Sequence, residues 1–96
     1  MTQQQSRITL KLGTAIKIQT VLSQNDPDSV KIEIEDPYEA VKIDYVAMTK
    51  IASNVYQYIY QSATTDEAGE YKITIKAIYG AYTSIDQNWF ILEDID

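Results

Sequence analysis

Apolar and polar residues alternate with period two along most of the chain, most clearly from Thr64 to Ala77, TTDEAGEYKITIKA. An acidic turn ending in Gly69 leads into a run in which Tyr71, Ile73, Ile75 and Ala77 are apolar while Glu70, Lys72, Thr74 and Lys76 are polar. That pattern predicts a strand with one face buried and one face wet. Val30 to Glu35, VKIEIE, repeats it, with Asp36-Pro37 as the stop. RITLKLGTAIKIQTVL alternates twice around Gly13, which predicts two short strands separated by a bend or bulge. Ser23 to Ser29, SQNDPDS, has the side chains of a turn. Val41, Ile43 and Tyr45 predict a further strand, followed by a loop through Ala52. Val55 to Gln61, VYQYIYQ, predicts another, with Tyr56, Tyr58 and Tyr60 on its inner face. After a turn at Tyr79-Gly80-Ala81, Thr83 to Leu92 forms the last strand, interrupted at Asp86-Gln87-Asn88. About seven short strands without a helical period predict an all-β, antiparallel β-sandwich.

Composition narrows the chemistry. At 96 residues the chain has the length of a single domain. Cysteine and histidine are both absent, which excludes disulfides, thiolate metal sites and nucleophilic catalysis built on a Ser-His or Cys-His pair. No enzymatic activity and no cofactor are expected. The net charge of −6 argues against a nucleic-acid partner, which would call for clustered Lys and Arg. No apolar run approaches the roughly 18 residues of a membrane span. MTQQQSR shows no signal peptide, and residues 1–6 are expected to be a flexible N-terminus.

Asp66 to Ile73, DEAGEYKI, resembles the immunoglobulin-like superfamily. There an acidic turn leads to a tyrosine whose hydroxyl bonds back to the turn backbone. The resemblance implies a structural corner made by Tyr71, Gly69 and Asp66, with Ile73 where that family carries its second cysteine. The YQYIYQ strand, IEIEDP and the closing NWFIL are similar to bacterial and viral modules of this kind. Two departures stand out: the cysteine pair is missing, and the only Trp is Trp89, near the end of the chain. The implied architecture is one immunoglobulin-like domain over residues 7–93 with an acidic tail at 94–96. By analogy it implies an accessory virion protein, a capsid decoration or tail-associated protein, located on the virion. Its partner would be a capsid protein or a second copy, bound through an edge strand.

Trp89 and Ile91 alternate with Phe90 and Leu92, so one pair must face away from the core. In the resemblance Phe90 and Leu92 take the inward phase. Trp89 and Ile91 are then the protein-interface candidates, and Ile78 and Tyr82 extend the same patch. Tyr56, Tyr58 and Tyr60 support an alternative, an adhesin or carbohydrate-binding domain at a cell surface that stacks sugars on their rings. Asn25, Asp26 and Asp28 offer oxygen atoms but lack the glycine and glutamate of a calcium loop, so a plain turn and no metal are expected. Asp66, Glu67 and Glu70 are read as a solvated turn rather than a paired acid and base.

Overall fold

Residues 8–95, the part of the chain that the computed structural model describes, form eight strands and no helix. In chain order these are β1 (Ile8–Lys11), β2 (Ala15–Val21), β3 (Ser29–Glu35), β4 (Val41–Ala47), β5 (Thr49–Ala52), β6 (Val55–Gln61), β7 (Gly69–Tyr79) and β8 (Tyr82–Glu93). They make a five-stranded sheet in the order β1-β8-β7-β3-β4 and a three-stranded sheet in the order β2-β6-β5, packed as a β-sandwich. Every pairing is antiparallel except that of β1, which runs parallel to β8.

The alternating runs are the strands that fill the core. Val30, Ile32 and Ile34 of β3 and Tyr71, Ile73, Ile75 and Ala77 of β7 are buried, as are Phe90 and Leu92 of β8. Ile16 and Ile18 of β2 and Tyr60 of β6 meet them from the smaller sheet. An aromatic cluster bridges the layers. The Tyr71 and Phe90 rings stack at 5.2 Å, and the Tyr60 ring lies 6.4 Å from Tyr71 and 6.3 Å from Phe90. Offset stacked and tilted ring pairs of this kind add to the burial of their area. The Tyr71 side chain is fully buried, and its hydroxyl donates to the backbone carbonyl of Glu67 at 2.7 Å. The phenol therefore ties the start of β7 to the turn that precedes it.

Among the described residues the chain changes sheet four times between consecutive strands, and two of these crossings are short. Around Gly13 it passes from β1 to β2, where buried Ser62 accepts from the Gly13 N–H at 3.0 Å and donates to the Thr14 carbonyl at 2.7 Å. Between β4 and β5 it crosses over a single residue, Met48, which is buried and donates its N–H to the Val30 carbonyl at 2.9 Å.

Several expectations are corrected. There are eight strands rather than seven, because the predicted loop through Ala52 contains β5. All four β5 residues are exposed, so the strand has no apolar face to announce it. Val41, Ile43 and Tyr45 do lie on one strand but not on one face, because register shifts in β4 set Ile43 opposite Ile34 and Val41 opposite Glu35. β8 is not interrupted at Asp86-Gln87-Asn88. It pairs with β7 without a break from Tyr82 to Leu92. Nor is β8 wholly an edge, since β1 lies outside its Phe90–Glu93 portion. The predicted flexible segment 1–6 lies outside the described residues.

Replacing Tyr71 with Phe leaves the Glu67 carbonyl without its donor, and a loss of about 1–2 kcal/mol is expected. Urea unfolding should show a lower midpoint with an unchanged slope. Gly69 has φ 137°, and a Cβ there would lie 2.8 Å from Pro37 Cγ. Gly69→Ala should therefore cost more than about 1 kcal/mol in the same measurement.

Candidate functional site on the open flank

The two short crossings lie on opposite flanks of the sandwich. On the β4–β5 flank Met48 plugs the gap between the sheets. On the opposite flank the β1–β2 crossing covers only the end near Phe90–Glu93, beyond which β2 and β8 border each sheet without a described strand outside them. Between them lies a groove of about 220 Å³ whose apolar lining comes from Ile8, Ile16, Ile18 and Ile73. Trp89, Asn88, Lys17 and Gln19 complete its wall. The flank thus offers an apolar floor, polar groups at the rim and an aromatic side chain beside it.

Trp89 and Ile91 share the outward phase of β8 and are half-buried, opposite to Phe90 and Leu92 in the core. Ile91 sits in register between Thr9 of β1 and Glu70 of β7, whereas Trp89 lies just past the start of β1, beside Lys72. The structure separates the rest of the predicted patch from this pair. Tyr82 is seven positions from Trp89 along a continuous strand, about 24 Å away at a strand's rise, and it has the opposite phase. Ile78 pairs with Thr83 at that same distant end and is half-buried.

The three tyrosines of β6 face inward. Tyr60 is buried, and Tyr56 and Tyr58 pack partly buried against the core. Their rings do not form the open stripe that a sugar platform needs, while Ile59, on the other phase, is exposed.

The oxygen-rich loop is used as a turn. Asp28 accepts from the Gly80 N–H at 2.7 Å, Asn25 accepts from the Asn54 side chain, and the Gln24 carbonyl accepts from the Tyr79 hydroxyl at 3.0 Å. The first and third of these bonds dock the loop onto the β7–β8 hairpin, and the second ties it to the β5–β6 turn. Asp66 is also engaged. It accepts from the Ala63 N–H at 2.8 Å, pairs with Lys42 at 3.3 Å and receives a longer bond, 3.4 Å, from the Tyr60 hydroxyl. The Ala63 N–H, with help from Lys42 and against partial desolvation, holds its carboxyl below the ordinary 3.8. Burial, with the charge of Asp66 added, raises the Tyr60 phenol and pushes Tyr71 up to about 12. On the outer face of the larger sheet Lys72 pairs with Glu35 at 3.5 Å, and the Lys76 ammonium lies 4.8 Å from the centre of the Tyr45 ring. Desolvation first, then Glu33 and Glu35, raise the Tyr45 phenol.

Sequence reasoning missed the groove. Its lining residues come from β1, β2, β7 and β8, which are distant in sequence. The one available signal was the doubled alternation around Gly13, which left Ile16 and Ile18 on a strand of their own.

The raised phenols predict a loss of stability in alkali. Because the folded-state value of Tyr71 lies above its ordinary 10.0, the stabilisation is fully present below pH 10 and is lost as pH rises towards about 12. Unfolding followed between pH 9 and about 12 should show this fall, and Tyr71→Phe should reduce its slope. Asp66 has the opposite sign. Its contribution is present above pH 3.8 and is lost as pH falls through its lowered folded value, so the stability gap between the protein and Asp66→Asn should narrow in acid.

Compared with known proteins, the chain matches no protein-family model, and no curated protein matches it significantly.

Proposed function

We propose that this chain is a non-enzymatic, immunoglobulin-like interaction module that binds a protein partner on the open flank around Trp89. The observation that carries the reading is the groove between the borders of β2 and β8, which is lined by core isoleucines and by Trp89. Aromatic anchors beside an apolar pocket are the usual source of binding energy in protein interfaces. The strand borders on either side of the groove, outside which no further strand is described, suit a partner that adds an extended segment.

The immunoglobulin-like assignment draws support from three features. β2, β6 and β5 follow the order B, E, D of that fold, and β8, β7, β3 and β4 follow the order G, F, C, C′. The third feature is the bond from the Tyr71 hydroxyl to the Glu67 carbonyl at the start of β7, the position of that fold's corner tyrosine. A non-catalytic role is supported by the carboxylates themselves. Asp66 and Asp28 are held by backbone donors in turns, and Glu35 and Glu93 pair with lysines. The more specific form of the proposal, a capsid-decoration or tail-associated role, rests on the sequence resemblance.

Trp89→Ala removes the indole from the groove wall and should weaken partner capture at least about tenfold, the size of a modest interface anchor. Titration followed by the emission of the single Trp, with the variant compared by sedimentation, measures this. Undiminished binding by a folded Trp89→Ala variant would remove the groove from the interface.

A further inference from the structure

We propose that the outer face of the smaller sheet is a self-association surface, at which two copies of this chain stack β2-β6-β5 on β2-β6-β5 about a two-fold axis that runs along β6 between the sheets. This goes beyond the Trp89 site and is tested separately from it. Ile16, Ile18 and Tyr60 point into the core, so the odd-numbered positions of β2 and β6 face outward. The register sets them in rows across the sheet. Val21, Val55 and Ala52 form an apolar row, Gln19, Gln57 and Thr49 an uncharged polar row, and Lys17 and Ile59 a third. Val21 is 74% exposed and Ile59 53%. The Gln19 side-chain amide donates to the Gln57 side-chain oxygen at 3.1 Å, which holds both groups in place before any contact and reduces the ordering that binding costs.

Charge sets this face apart from the rest of the surface. β2, β5 and β6 contain no Asp or Glu, although the chain carries 14 of them and a net charge of −6. Lys17 is the only charged residue in the outward rows, since Lys50 pairs with Tyr56 and shares its inward phase. The outer face of the larger sheet, by contrast, presents Glu33, Glu35, Glu70, Lys72 and Lys76. A net charge of this size keeps like molecules apart. Two copies therefore meet at least cost where neither presents a carboxylate.

A second copy fits the face because the rows complement themselves. With the axis along β6, Ile59 meets Ile59, Val55 meets Val55, Val21 meets Ala52 and Gln19 meets Thr49. Apolar rows then pack on apolar rows, and amides meet amide or hydroxyl groups. β5 extends only to the row of Gln57, so no strand of the second copy lies opposite Lys17 and its ammonium stays in water. Sheets stacked in this way lie about 10 Å apart, with their strands within about 30° of each other. The face is about 14 Å wide and at most about 24 Å long, less than the roughly 800 Å² per partner of a standard interface. A weak dimer is expected, with Kd on the order of 10–100 µM.

Sedimentation of the full chain from about 1 to about 500 µM should show a concentration-dependent dimer. Its Kd should fall as NaCl rises from about 0.02 to about 0.5 M, because salt screens the repulsion between two anionic bodies. Ile59→Glu, which sets two carboxylates against each other at the axis, should raise Kd about tenfold or more. Ile85→Glu adds the same charge at an exposed position of the larger sheet and should raise it less than about twofold, while Trp89→Ala leaves it unchanged. Because the chain has no cysteine, Gln57→Cys tests the contact directly. A bismaleimide about 10 Å long should join two copies of Gln57→Cys and not two copies of Ile85→Cys. The proposal is overturned by a chain that stays monomeric throughout, by a dimer that is insensitive to Ile59→Glu or equally sensitive to Ile85→Glu, by a dimer lost on Trp89→Ala, by a Kd that rises with salt, or by equal cross-linking of the two cysteine variants.

Discussion

The contact on which the rest of the fold depends is the Tyr71 side chain. Its ring stacks on Phe90 of the neighbouring strand and meets Tyr60 of the opposite sheet, while its hydroxyl holds the Glu67 carbonyl. One residue therefore fixes the β7–β8 register, the contact between the sheets and the path of the turn entering β7. A buried phenol is costly unless its hydroxyl is satisfied, and here the backbone supplies the acceptor. Gly69 follows from the same constraint. The chain must leave the turn at a positive φ and pass against Pro37, where a larger residue would collide.

Closing a two-layer sandwich at both sides requires chain that crosses between the sheets. Two of the four crossings here are short, a single buried methionine and a bend beside Ser62. The groove beside Trp89 lies on the flank where β2 and part of β8 border the sheets with no described strand outside them. In the wider repertoire of small β domains, uncovered borders of this sort are where partners add, because backbone hydrogen bonding there requires no particular side chains.

Several acidic residues hold turns of the fold in place. Asp28 and Asp36 accept backbone N–H groups in turns, and Asp66 links a turn to Lys42 and to the Tyr60 hydroxyl. The Ala63 N–H and Lys42 hold the Asp66 carboxyl below its ordinary range.

The sequence by itself determined the class of fold, most of the strands and which side chains enter the core. A strand with one buried face must alternate, so VKIEIE and EYKITIKA could hardly be read otherwise, and the inward phase of Phe90 and Leu92 follows from the same rule. Where no face is buried, the pattern carries no information. That is why β5 was invisible and why Asp86-Gln87-Asn88 looked like a break. Three polar residues are tolerated in mid-strand because β8 is uncovered on both faces there and is held by its pairing with β7. Only the tertiary structure decided that β1 pairs with part of β8, that Tyr82 lies far from Trp89, and that Ile16, Ile18 and Ile73 line a groove together with Trp89. Those facts depend on which strands become neighbours and how far each extends, and pairings between residues so distant in the chain leave no mark on local periodicity.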